Sequence, residues 1–222
     1  MNYVAHAMGS IEDPYRLAGT AVPDWIRVSD RRSRLHTARL LADATDSHEA
    51  ALASGIRRHF DDDRWFHRTS AFQELSADFT RRIAALEPEN RHMRAFFLGH
   101  VLVELLLDAA LIERDPDVLP RYYDSLAQVD PEVIGRVAGG WTEPSAERVA
   151  RFAERFRQER FLFDYLDDRK LMHRLAQISR RVRLARLPDG IERLLPNARE
   201  RVRGSADALM TQGGNAGRAV RF

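Results

Sequence analysis

Cysteine is absent from the sequence. That excludes a disulfide framework, a thiolate metal site and an iron–sulfur cluster, and leaves His, Asp and Glu as the side chains able to hold a metal. Such donors suit zinc, manganese, iron or magnesium rather than copper(I). Lysine is almost absent: Lys170 is the only one, so arginine carries nearly all the positive charge. The skew reads as a genome-composition effect, but it leaves many planar groups that pair with carboxylate and phosphate. Neither sign of charge is in large excess. The formal net charge is +2, which does not announce a nucleic-acid binder. No Ser-centred elbow and no Gly-rich phosphate loop are present. The first residues, MNYVAHAMGS, lack a basic region followed by an apolar run, so they do not read as a signal peptide. A cytoplasmic protein without a membrane span is expected.

What is present is a chain of 222 residues, enough for one domain with a real core. No convincing period-2 strand and no internal repeat occur, and apolar residues recur at spacings of three and four. The clearest case is Ser70 to Leu86, with Phe72, Leu75, Phe79 and Ile83 on one face. Ser54-Gly55 reads as an interruption between a helix over 35–52 and another from Ile56 to Trp65. Pro23 places a helix start near itself. Asn90 reads as the cap of the helix after Pro88. Val118 to Leu126 reads as short and aromatic, with Tyr122 and Tyr123, and helices are read over 130–137, 145–163, 168–187 and 191–209. The expected architecture is all-α, one domain of about eight helices over 1–210, with a flexible tail over 211–222.

The chemistry centres on Phe96 to Ile112, FFLGHVLVELLLDAALI. Its ionisable groups are His100, Glu104 and Asp108, four residues apart in an otherwise apolar helix. Steps of four turn the face by only about 40°, so the three share a stripe. His100 and Asp108 are about 12 Å apart along the axis, too far for one small ion. An adjacent pair can ligate one ion, with the third member serving a second ion or supporting the first. The alternative is a polar seam ending near Arg114.

Other candidates lie upstream. His59 and Asp63 have the same four-residue spacing, which lets two ligands converge; a salt-bridged surface turn with Arg57, Arg58 and Arg64 is the competing reading. Asp24 follows Pro23 in an apolar setting and otherwise reads as a helix cap. His6 is a ligand candidate or a packed core histidine. Together His6, Asp24, His59, Asp63, His100, Glu104 and Asp108 make a hard-ligand set for one or two ions, able to activate water and clamp a phosphoryl group. His36, His48, His67, His92 and His173 read as solvent-facing or structural.

The ordered motifs Met1-Asn2-Tyr3-Val4-Ala5-His6, Leu17 to Trp25 (LAGTAVPDW), and Gly55-Ile56-Arg57-Arg58-His59 with Asp63 resemble the acyl carrier protein phosphodiesterase family. The resemblance covers residues 1 to about 110. It implies an all-α, HD-domain-like metal phosphohydrolase, with manganese as the usual metal, that hydrolyses the phosphodiester joining phosphopantetheine to acyl carrier protein. His6, Asp24, His59 and Asp63 match its functional positions, and Glu104 and Asp108 resemble its later pair of carboxylates. The chain departs from that pattern at Asp108-Ala109, where an Asp-His dipeptide is expected, and at His67, where an acidic residue often stands. The GHVLVELLLD stretch is also similar to the His-bearing helices of zinc-dependent phospholipase C-like proteins.

The leading expectation is a metal-dependent phosphodiester hydrolase using manganese, zinc or iron. Metal-activated water would attack phosphorus, with Asp24 or Asp63 handling the proton. Arg180, Arg181, Arg183 and Arg186 would dock an acidic partner such as acyl carrier protein, or form a solvated helix face. The second expectation is a non-enzymatic helical protein that uses the polar line for structure or metal binding. Nucleic-acid binding through the C-terminal arginines is the third and weakest.

Overall fold

Pro14 has no backbone N–H to leave unpaired at a helix start, and its fixed φ is already helical. In the computed structural model a helix, α2, begins there and runs to Ser29, after a five-residue helix α1 over Tyr3–Ala7. The structure describes residues 1–29, 44, 46–90, 93–139, 143–184 and 186–212. The next helices are α3 (Ser47–Phe66), α4 (Ser70–Ala84), α5 (Ala95–Arg114), α6 (Val118–Leu126), α7 (Pro131–Gly139) and α8 (Glu143–Glu159). A 3-10 turn over Phe161–Leu166 leads to α9 (Asp168–Arg181), and a second over Ile191–Leu194 leads to α10 (Leu195–Met210). The class is all-α. Among the described residues there are ten α-helices and two 3-10 helices, more than the eight expected, and no strand.

The chain divides into two compact units, each assembled from separated stretches. The first holds Met1–Ala5, Arg64–Pro116 and Leu162–Phe222; the second holds His6–Asp63 and Asp117–Phe161. Both α1 and α3 contribute residues to each.

In the first unit α5 packs on α4, α9 and α10. Gly99 allows the close α4 contact, since a Cβ there would meet Thr80 Oγ1 at 2.8 Å. The α4 stripe of Phe72, Leu75, Phe79 and Ile83 is buried as its spacing requires, each side chain contributing about 1.5–3 kcal/mol. Thr69 caps this helix by accepting from the Phe72 N–H at 3.2 Å. By length and composition α5 would pass for a membrane span, but 72% of its apolar window is buried within the protein. Asn90 does not cap α5. Its amide donates to Glu87 Oε2, and the helix begins at Ala95 without a side-chain cap.

In the second unit α2 packs on α6, α7 and α8, with Trp25 against Phe156 at 5.2 Å between ring centroids. Two expected breaks do not occur. Helix α2 runs through Pro23, because nearly every residue from Leu17 to Ile26 is buried and that packing outweighs the lost backbone bond. Helix α3 runs unbroken through Ser54-Gly55. There Gly55 lies against the α2 backbone at Gly19: a Cβ on either would land on a carbonyl oxygen of the other helix, Arg16 or Leu52. Most of the expected 35–52 helix lies outside the described residues. Helices α8 and α9 end earlier than expected, before Arg160 and Arg183, which adopt φ of 46° and 63°.

Candidate metal centre

The second unit brings His6, His59 and Asp63 together. His59 and Asp63 share one face of α3, one turn apart, and His6 comes from α1. The imidazoles stack with centroids 4.0 Å apart and planes at 23°. His59 Nδ1 lies 2.8 Å from the Thr20 carbonyl oxygen of α2. A carbonyl only accepts, so Nδ1 carries the proton and, in the neutral ring, Nε2 carries the lone pair. That Nε2 faces Asp63 Oδ2 at 3.6 Å. His6 Nδ1 lies 3.5 Å from Asp62 Oδ2, and its Nε2 lies 3.3 Å from Asp63 Oδ1. Both Nε2 atoms are buried, and neither completes a hydrogen bond.

Burial pushes His59 down to about 3, and the neighbouring charge on His6 adds to the effect. Burial alone would lower His6 as well, but the carboxylates of Asp62 and Asp63 beside the ring outweigh it and raise the pKa. Asp63 is held well below the usual carboxylate range: burial opposes this, and the adjacent His6 and His59 imidazoles overcome it. The pocket thus favours one positive charge between two imidazoles and a carboxylate.

The donors fit a divalent ion. Donor atoms of the triad lie within 4.8 Å of one another. Ligands about 2.0–2.2 Å from one ion sit at most about 4.4 Å apart, so closing by a few tenths of an ångström would seat one. The Thr20 carbonyl and Asp62 hold the far side of each ring, as outer partners do around metal-ligating histidines. Arg58 ties this corner down, donating to the Met8 carbonyl, Ser10 Oγ and Asp62.

A second triad, His67, His100 and Glu104, lies wholly in the first unit. Two of its members belong to the sequence-derived set; His67 was read there as solvent-facing or structural. Its signal was the continued spacing His59, Asp63, His67.

The remaining candidates are placed elsewhere. Asp108 is fully buried, and its two oxygens accept from the backbone N–H groups of Val4 and Ala5 at 3.0 and 2.9 Å. It belongs to neither triad. Nor does Asp24, which sits one turn beyond Thr20 on α2 with Arg27 at 3.6 Å. Among the other histidines, His48 stacks on Tyr15 and His173 pairs with Gln177. His36 and His92 lie outside the described residues. No protein-family model, no curated protein and no solved structure matches the chain.

Proposed function

We propose that the protein is a metal-dependent phosphodiester hydrolase, resembling acyl carrier protein phosphodiesterase, with its centre at His6, His59 and Asp63. One observation carries the reading: two buried Nε2 atoms, without hydrogen-bond partners, face one carboxylate. His6, His59 and Asp63 would hold a divalent ion, whose chemistry there would be to activate water toward phosphorus and to polarise a phosphoryl oxygen. The chain's part is to hold the donors. Thr20 fixes the His59 tautomer, Asp62 does the same for His6, and Arg58 braces Asp62. Asp24, one turn from Thr20, is the carboxylate assigned to proton transfer. Manganese is favoured by the family resemblance, with zinc and iron as alternatives for the same donors. Exposed Arg180, Arg181, Arg183 and Arg186 offer docking charge for an acidic partner such as acyl carrier protein.

The test is hydrolysis of bis-p-nitrophenyl phosphate and of phosphopantetheinylated acyl carrier protein by metal-stripped protein resupplied with manganese, zinc or iron(II). Metal-dependent release of nitrophenolate or phosphopantetheine, lost in Asp63→Asn, is the expected result. Metal bound at the triad with neither substrate cleaved would overturn the hydrolase reading and leave a non-enzymatic metal-binding protein.

A further inference from the structure

Glu104 sits on the most apolar of the described helices, where a charged side chain is costly unless it is used. Three groups converge on its Oε1: His67 Nε2 at 3.1 Å, His100 Nε2 at 3.2 Å and the amino group of Met1 at 3.1 Å. His100 lies one turn before Glu104 on α5, and His67 lies just after the end of α3. The imidazoles are set by aromatic packing. The Phe72 ring meets each edge-on at 4.9 Å, and Phe66 meets His67 at 5.4 Å. The two imidazole centroids are 4.7 Å apart. The donor atoms satisfy the same 4.8 Å convergence as the first triad.

We propose that His67, His100 and Glu104 form a second, separate site for a divalent transition-metal ion. The donors are two nitrogens and one carboxylate oxygen without sulfur, which favours zinc, cobalt or nickel over magnesium or calcium. The side chains are 33%, 28% and 16% exposed, so solvent can reach the site and water can complete the coordination shell. The position already favours positive charge. An ammonium group, that of Met1, stands 3.1 Å from the Glu104 oxygen. The competing account is that Glu104 is only a hydrogen-bond hub. The two differ in the protons: a hub needs N–H at both Nε2 atoms, whereas ligation needs lone pairs there.

The proposal does not depend on hydrolysis, and its test reads binding alone. The full-length chain is titrated with cobalt(II), following visible absorption and heat of binding. Wild type should take two equivalents, His59→Ala and His100→Ala one each, and the double variant none. Glu104→Gln, nearly the same shape, serves in place of His100→Ala if that variant does not fold. Its affinity at the second site should fall by more than the roughly 10–100-fold that loss of an outer partner costs. No binding at all, or binding from which no equivalent is lost in His100→Ala or Glu104→Gln, overturns the proposal; a single equivalent lost in those variants and kept in His59→Ala supports this site and counts against the first. Loss of both equivalents in His59→Ala overturns the separateness of the sites.

Discussion

His59 donates its Nδ1 proton to the backbone carbonyl of Thr20 at 2.8 Å, and that bond settles which nitrogen of the ring faces Asp63. The partner is backbone, not the Thr20 hydroxyl, which donates to the Leu17 carbonyl. Thr20→Val therefore keeps the contact, and its metal affinity should stay within about threefold of wild type, below the roughly tenfold that loss of an outer partner costs. His59→Ala removes the proposed ligand and should abolish the first metal equivalent and all hydrolysis. Metal titration of the two variants decides. Loss of the first equivalent in Thr20→Val would mean that the carbonyl does not orient the ring.

Asp108 is expected to matter for stability and not for metal. Its oxygens take the Val4 and Ala5 N–H groups in the first turn of α1, where a helix has no acceptors of its own. Asp108→Ala strands two buried donors and should cost about 2–6 kcal/mol, at roughly 1–3 kcal/mol per donor. Asp108→Asn keeps one acceptor and should cost less. Urea unfolding together with metal stoichiometry checks this. A variant of unchanged stability that loses a metal equivalent would return Asp108 to the ligand set.

These positions show what the sequence made readable. The α4 stripe followed from apolar spacing, because one buried face is a local property. Pro23 and Gly55 misled, because their cost or use depends on neighbours elsewhere in the chain. His59 and Asp63 were legible as an i,i+4 pair, and His6 only through the resemblance and a lone position in an apolar start. Asp108 looked like a ligand because its true partners, the α1 amides, are about a hundred residues away and leave no mark in the sequence. His67 continues the four-residue spacing of His59 and Asp63, but the groups it meets, His100 and Glu104, stand on another helix and leave no mark beside it in the sequence. The division into two units was hidden because it falls inside α1 and α3, where composition does not change.

Glu87 gives a pH-dependent contribution of known sign. Its carboxylate accepts from the Asn90 amide at 2.7 Å, from the Asp189 N–H at 3.1 Å and from Arg186 at 2.7 Å. These bonds, Asn90 first, lower its pKa below the ordinary 4.5. A depressed carboxylate binds its proton more readily unfolded than folded, so stability rises with pH between the two pKa values. The contribution is complete above the unfolded value and lost as pH falls through the folded one. The urea midpoint of Glu87→Gln should lie below wild type at pH 7, with the gap closing on acidification. A gap that is constant with pH would mean the interaction does not depend on the charge.

Gly55 sets the distance on which the first triad depends. Its Cα lies against Gly19 of α2, and a Cβ would land on the Arg16 carbonyl oxygen, which is backbone and cannot swing aside. Thr20 is the residue after Gly19, and His59 is one turn after Gly55, so the 2.8 Å bond between them spans the same crossing. A shift of about half an ångström would stretch that bond past the usual range of about 3.2 Å. Gly55→Ala should therefore lower stability by about 1–3 kcal/mol through overpacking, after the helix-propensity gain is offset. It should also weaken metal binding at His6, His59 and Asp63. Gly204 on α10 is the control, because a Cβ there meets nothing within 4 Å. Gly204→Ala should stabilise by up to about 1 kcal/mol through helix propensity alone and leave metal binding unchanged. If Gly55→Ala behaved like Gly204→Ala, the close contact of α2 and α3 would not be what holds His59 in place.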